Sequence, residues 1–416
     1  MTNERLASAP ERQFWFAEQM APGATANRAL GQVRITGPVD LEVLTRALRA
    51  TAHRHEALRT AFVLDGRVLV RKASPESVVR PPVVLPAGTG FDEAAVALGA
   101  DRFDIGAGDV HRTAVAPDAQ GATCFLAVHH IAFDGLSHEV WTRDLAAAYA
   151  RELSGEGHGP AVTRPPAPVL DPARREELTA RWRQALAGVP DLPAGDRAPS
   201  QHELARAAVA EVRTVVAPAT TRALQERARQ HAVSPFALVL TAYGRALSEL
   251  TGAADFCVGT PVSTRSATDG DEVGCVLNTL PIRLTDLDGP DVLARVWATV
   301  VDALVDLDLP CDEIVRECRP RRSRRMPLFQ ALFAFQSWPR TVHEAGPVRF
   351  RTVPVRPLGA QAEVQMQVCD LGEDGYEGIL QIPQDGGWAG RLDDLIRSFH
   401  HHLDQLLAPG ALEGTR

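Results

Sequence analysis

Residues 122–136 read ATCFLAVHHIAFDGL. Thr123, Cys124, Phe125, Leu126, Ala127 and Val128 form a short apolar run rich in strand-formers, the pattern of a buried strand. His129 and His130 follow at once, and Asp134 and Gly135 come after a three-residue spacer. Ser137 is a candidate cap for a helix whose apolar stripe is Val140, Trp141, Leu145, Ala148 and Tyr149. The stretch therefore predicts a buried strand, a tight loop and an amphipathic helix. Two imidazoles, a carboxylate and a glycine fall in that loop.

Such a loop has chemistry available. A neutral imidazole can accept a proton from an amine, a hydroxyl or a thiol near neutral pH. A glycine leaves its backbone N–H open to a developing oxyanion. Asp134 can orient an imidazole or pair with an arginine. The spacing alone also accommodates two histidines that are merely hydrogen-bonded in a core. A metal site of His129, His130 and Asp134, with His138, is a further alternative, without a Cys or Glu at supporting spacing and without an HExxH motif. A Ser-His-Asp hydrolase is disfavoured because the chain has no GxSxG elbow.

Composition narrows the classes. The 416 residues suffice for a large core and predict two or three domains, and 45% hydrophobic with 23% charged residues is ordinary for a globular protein. A net charge of −8 argues against nucleic acid as the main partner. Lys72 is the sole lysine, so arginine supplies nearly all positive charge. The six cysteines are scattered without a CxxC pair, which predicts reduced thiols in a cytoplasmic protein. No signal peptide and no apolar run of about 18 residues is present, so neither export nor membrane spanning is expected.

Along the chain, Ala9–Met20 reads as an amphipathic helix, Gly31–Ile35 as a strand, and Asp40 to about His53 as a helix closed by Arg54-His55-Glu56-Ala57-Leu58-Arg59-Thr60. Structural pairing at the helix end is the favoured role for Arg54 and Arg59. Phe103-Asp104 precedes Val110–Ala116, which should pair with Thr123–Val128. The Gly/Pro-rich segment from Leu153 to Leu170 is the clearest linker. The second half repeats the pattern: a strand at Glu211–Val216, helices at Ala219–Gln230 and Pro235–Leu250, then an apolar strand at Asp255–Val262. The expected division is 1–165, a linker at 166–180, and 181–416. Alternating strands and helices in both halves predict an α/β chain, an α+β sandwich in which each half builds one sheet covered by helices.

His129-His130-x-x-x-Asp134-Gly135 resembles the HHxxxDG signature of the condensation domains of nonribosomal peptide synthetases, within the chloramphenicol-acetyltransferase-like acyltransferases. Further blocks resemble the family's in order. Residues 8–16, SAPERQFWF, stand against SxAQxRLWF, with Trp15 and Phe16 retained and Glu11 where the family usually has Gln. Residues 54–60 match RHExLRT, VGCVLNTLPIR at 273–283 is close to VGxFxNTLPLR, and PCDEIVREC and PLFQALFAFQ follow. At the signature itself the chain carries HHxxx where cyclisation domains would carry DxxxxD, and the DFGWG of plant-type acyltransferases is absent. The match is poorest over about 340–390, where the family has crossover and latch elements, which bears on the substrate channel rather than the fold.

The resemblance implies two acetyltransferase-like lobes forming a V-shaped pseudo-dimer with an interface tunnel. It implies a free-standing condensation enzyme, an acyltransferase joining a carrier-protein-bound acyl thioester to an amine or hydroxyl. His130 and Gly135 would be catalytic. His129, Asp134 and Arg283 would be structural, with Arg283 the expected partner of Asp134. Asn278 and Gln336 would bind substrate. Arg319, Arg321 and Arg322, from a run that continues to Arg324 and Arg325, would attract the carrier. No metal or tightly bound cofactor is implied, the phosphopantetheine arm arriving with a carrier protein supplied in trans to a monomer. An acyl-coenzyme A-dependent small-molecule acyltransferase and a non-catalytic carrier-docking module are the rival readings.

Overall fold

The computed structural model describes residues 4–73, 79–99, 101–157, 159–163, 169–195, 197–265, 272–318, 324–338 and 340–408. In chain order the first elements are β1 (Glu4–Leu6), α1 (Ala9–Met20), β2 (Arg28–Thr36), α2 (Leu41–Arg54), β3 (Thr60–Asp65), β4 (Val68–Ala73), β5 (Val83–Val84) and α3 (Phe91–Gly99). Next come β6 (His111–Asp118), β7 (Gly121–His129), α4 (Gly135–Ser154), α5 (Pro172–Ala185), α6 (Gln201–Arg206), β8 (Val209–Val216), α7 (Pro218–Gln230) and α8 (Pro235–Thr251). The rest are β9 (Asp255–Ser263), β10 (Leu277–Thr285), α9 (Val292–Val305), α10 (Cys311–Cys318), β11 (Phe329–Gln336), β12 (Val342–Ala345), β13 (Val348–Pro357), β14 (Val364–Asp370), β15 (Tyr376–Pro383) and α11 (Leu392–Leu407). None of the helices among the described residues is long and apolar enough to cross a membrane.

The chain divides into two units, and the division is not contiguous. One unit comprises 1–168, 265–277 and 340–359; the other comprises 169–264, 278–339 and 360–416. The boundaries read from sequence differ in two respects. The second half is not one block from 181 to 416, because Arg265–Leu277 and Arg340–Gly359 belong with the first unit. The stretch 166–180 is not all linker, because Pro172 starts α5, capped by the Asp171 carboxylate at 2.9 Å from the Ala173 N–H, and Leu178 is fully buried.

In the first unit a six-stranded sheet runs β12-β13-β2-β7-β6-β5, beside a three-stranded sheet β1-β4-β3. The expected pairing of 110–116 with 123–128 is the antiparallel β6–β7 ladder, in which Ala114 faces Phe125 and Val115 faces Cys124. Strand β7 lies mid-sheet and is buried on both sides, which is why it reads as an unbroken apolar run rather than an alternating one. Cys124, Leu126 and Val128 face α2 and α4; Phe125 and Ala127 face α3 and the small sheet. Strand β13 covers the other edge of β2, pairing Phe350 with Ile35 and Thr352 with Val33. Without it β2 would present an unpaired apolar edge.

The second unit builds its own six-stranded sheet, β10-β9-β11-β14-β15-β8, with β11 parallel to both β9 and β14. Val364, Met366 and Val368 point into a core shared with α8 and α11, where Tyr243 and Phe399 are buried. Pro235 opens α8 behind the Ser234 cap, whose hydroxyl lies 3.3 Å from the Ala237 N–H.

The α4 side of the first sheet leaves no spare room at Gly31. A Cβ there would stand 2.7 Å from Nε2 of the buried His138, which stacks on Trp141. Gly31→Ala should therefore lower stability by roughly 1–3 kcal/mol through overpacking, read as a lower Tm and denaturation midpoint. An unchanged Tm would mean that His138 can turn aside without cost.

Candidate active site

The loop after β7 is a short 3₁₀ turn, His130–Ala132, followed by α4. Strand alternation carries His129 to the side of Phe125 and Ala127, and its ring meets Phe103 edge-on at 6.3 Å. His129 Nδ1 accepts the Ile131 N–H at 3.1 Å, so the proton of the neutral ring sits on Nε2, 3.4 Å from Glu18 Oε2. Glu18, on α1, is 1% exposed and also accepts from the Gly23 N–H at 2.8 Å, Arg102 Nε at 3.1 Å and Asn27 Nδ2 at 3.4 Å. Burial alone would raise the Glu18 pKa; the hydrogen bonds from His129, Gly23 and Asn27 outweigh it and hold the carboxyl below its usual range. His129 titrates below its usual range, chiefly because it is buried.

His130 is held differently. Its ring stacks on Phe14 of α1, centroids 5.4 Å apart and planes inclined by 23°. The residue as a whole keeps some accessible surface, but Nε2 is enclosed and has no hydrogen-bond partner among the described residues. Desolvation, with a smaller contribution from His129, pushes its pKa down to about 4, against opposing effects of the Phe133 backbone and Asp134. At neutral pH the ring is uncharged, with Nε2 enclosed and unpartnered among the described residues.

Asp134 occupies the N-cap of α4, the position the sequence suggested for Ser137. Its Oδ1 accepts from the Ser137 N–H at 2.9 Å and from the Ser137 hydroxyl at 2.8 Å, which puts Ser137 one turn inside the helix. Oδ2 receives Arg265 Nη1 at 2.5 Å and the Val276 N–H at 2.9 Å. Arg265 also reaches the Ser137 hydroxyl at 3.1 Å and the Gly274 carbonyl at 3.3 Å. The expected partner, Arg283, is instead bidentate to Asp255 at 2.7 and 2.8 Å and donates to the Ala185 and Ala187 carbonyls. Both arginines sit in the same stretch of sequence, and only the fold selects between them. Gly135 is the first residue of α4, so its N–H is one of the amides that a helix start leaves without an intrahelical acceptor.

The four side chains of the metal alternative do not converge. His129 is bound to Glu18, Asp134 to Arg265, and His138 lies against Gly31 and Trp141. Asn278, expected to bind substrate, has no capacity left. Its Nδ2 donates to the Leu307 and Leu309 carbonyls at 2.9 and 2.8 Å, and its Oδ1 accepts from the Cys311 and Thr279 N–H groups, both at 2.9 Å. It is a structural tie between β10 and the start of α10. Gln336 is half-buried at the end of β11, its Oε1 accepting from the Cys369 thiol at 3.3 Å. Arg319, Arg321 and Arg322 lie outside the described residues. Arg325, from the same run, is committed to the buried Glu363 at 2.8 and 2.9 Å.

The family model for the Condensation domain matches residues 3–362. The chain belongs to the condensation-domain family. The phosphinothricin tripeptide synthetase PhsC of Streptomyces viridochromogenes is 32% identical over 356 residues, 78% of this chain and 32% of that protein. This condensation domain thus spans about a third of the length of that relative, and only 5% of malpinin synthetase from Mortierella alpina. Among solved structures, the first condensation domain of the calcium-dependent antibiotic synthetase, in complex with a substrate analogue, superposes with a TM-score of 0.78 at 22% identity, covering 98% of this chain and 97% of that one. The X-domain from teicoplanin biosynthesis, solved in complex with OxyB, gives 0.76 at 22% identity, covering 100% and 95%. The mixed α/β fold of the domain, with its open sheets, is that of condensation domains.

Phe14, Glu18 and Arg265 were not singled out for the site by sequence. For α1 a signal exists: Glu11 and Glu18 fall seven residues apart on the stripe that carries Phe14, yet they are 2% and 1% exposed. Carboxylates on an inward stripe require partners.

Two outcomes follow for stability. Removing either member of the Asp134–Arg265 pair strands a buried charge, so Asp134→Ala and Arg265→Ala should each cost ~3–5 kcal/mol, with the double variant far less than additive. Arg283→Ala should leave that coupling intact; a double-mutant cycle by denaturant unfolding measures both. Acid should also destabilise the domain. His111 and His130 have folded pKa values near 4 and His138 near 3, against 6.5 for the free side chain. The unfolded chain therefore binds more protons, so this stability is complete above about pH 6.5 and is lost as pH falls toward 4, by ~1–2 kcal/mol per histidine at pH 5. Unfolding free energy followed from pH 7 to about pH 5 checks the slope; a flat profile would contradict the burial of these rings.

Proposed function

We propose that the domain forms an amide, or an ester, by delivering an acyl group from a carrier-protein thioester to an amine or hydroxyl nucleophile. What carries the reading is His130: an uncharged imidazole at a strand end, with an unpartnered Nε2, in a family matched across most of the chain. The phosphopantetheine arm enters as part of the carrier substrate.

The nucleophile's nitrogen attacks the thioester carbonyl carbon, the new C–N bond forms and the carbonyl π pair moves to oxygen. The tetrahedral oxyanion meets backbone N–H donors, with Gly135 at the start of α4 the nearest candidate in sequence. Collapse breaks the C–S bond, and the sulfur leaves with the proton the nitrogen gives up. A base whose pKa is near 4 does not deprotonate a resting amine. It accepts the N–H hydrogen bond, holds the lone pair in line, and takes the proton as the C–N bond makes that nitrogen acidic. His129 shapes the loop through Glu18 and Ile131, and Asp134 anchors it through Arg265.

His130→Ala should lower turnover by roughly 10²–10⁴-fold with the Tm nearly unchanged. Full activity would remove His130 from the chemistry. An inactive wild type across a broad donor panel, with carrier binding retained, would favour a docking module. The donor is tested with one acyl group on a carrier protein, on coenzyme A and on pantetheine, against a fixed acceptor. Remote carrier contacts contribute to orientation as well as to binding, so the carrier thioester should win in both kcat and kcat/KM. Equal values would overturn the carrier requirement in favour of a small-molecule acyltransferase.

A further inference from the structure

We propose that Phe14 is a positioning residue: its ring fixes the plane of the His130 imidazole and walls that imidazole from water. The proposal rests on the reading of His130 as the group that meets the nucleophile.

The geometry begins with α1. Phe14 and Glu18 are one helical turn apart and therefore share a face. That face holds both histidines of the signature, each by a different force. Glu18 binds His129 through a hydrogen bond, and Phe14 stacks on His130. His130 Nε2 makes no hydrogen bond among the described residues, and the polar contact that bears on the ring, from the Phe133 backbone, leaves that atom unheld. A near-parallel stack at 5.4 Å opposes tilting of the imidazole out of its plane, and its geometric preference adds to the packing an aliphatic neighbour would give. The sequence departs from the family at this point. Where the block reads SxAQxRLWF this chain has SAPERQFWF, so Phe14 stands at the leucine position. A leucine fills similar space but offers no face to stack on.

The charged and titratable groups about His130 belong to the same assembly. His129 beside it opposes protonation and Asp134 favours it, while Arg28, Arg102 and Glu18 bear on His129. Opening the Phe14 wall admits water to the ring and relieves the desolvation that depresses its basicity.

The test compares Phe14→Ala, Phe14→Leu and Phe14→Tyr by steady-state kinetics with the carrier thioester, and by NMR titration of the His130 ring in each variant. The Ala and Leu variants should lose roughly 3–10-fold in kcat with KM within about twofold, and the Tyr variant should restore kcat. In the Ala variant, which opens the wall, the acidic limb of the kcat profile and the NMR titration should move together toward pH 6.5, because a more basic His130 is protonated sooner as pH falls. The Leu variant keeps the volume, so it should lose kcat with the titration little moved. A Leu variant with wild-type kcat overturns the proposal, as does an Ala variant with an unmoved titration or a Tyr variant that fails like Ala. The NMR titration needs no turnover, so it judges Phe14 separately from the reaction assigned to His130.

Discussion

The loop between β7 and α4 depends on one buried carboxylate. Asp134 and Arg265 are each only 4% exposed at the side chain, and an ion at that depth is tolerated only when every lone pair has a partner. Asp134 satisfies the requirement with donors from three places: the first turn of α4, the guanidinium of Arg265, and the backbone at Val276. The same contacts fix where α4 begins and bind Arg265 and Val276 to the loop. His130 is four residues upstream of this knot, so its backbone position is inherited from it.

Around that fixed backbone the two histidines experience opposite chemistry. His129 is tied by hydrogen bonds at both nitrogens, which assigns its tautomer and leaves neither nitrogen open to another group. His130 is dry on one face and unpaired at Nε2, which keeps it neutral but makes it a weak base. Burial therefore trades basicity for orientation, and the proposed chemistry uses the orientation. That both rings are addressed from α1 explains why a helix so distant in sequence belongs to the site.

Much of this was legible beforehand. The unbroken apolar run at 123–128 marks a strand buried on both faces, and the helical stripe from Val140 to Tyr149 marks α4. Asp171 before Pro172 is itself a helix-start signal, set within Gly and Pro residues whose composition reads as linker. Asn278 was not legible for a different reason. Its block marks a family, but whether an amide faces substrate or backbone depends on what the chain places beside it, here the carbonyls of Leu307 and Leu309.

Sequence by itself determined the local elements, the order of the motifs, and the placing of two imidazoles, a carboxylate and a glycine in one loop, because periodicity and turn chemistry act over a few residues. Only the tertiary structure decided which arginine neutralises Asp134, which helix grips the histidines, and which strand closes the edge of β2. Arg265 and Arg283 are equivalent as charges, and the choice between them is made by the burial of Asp134 and by which guanidinium the fold sets beside it. Strand β13 pairs with β2 from more than three hundred residues away, and no local pattern announces it: a strand carries its periodicity in its own sequence, but its neighbour is set by which edge the fold leaves open.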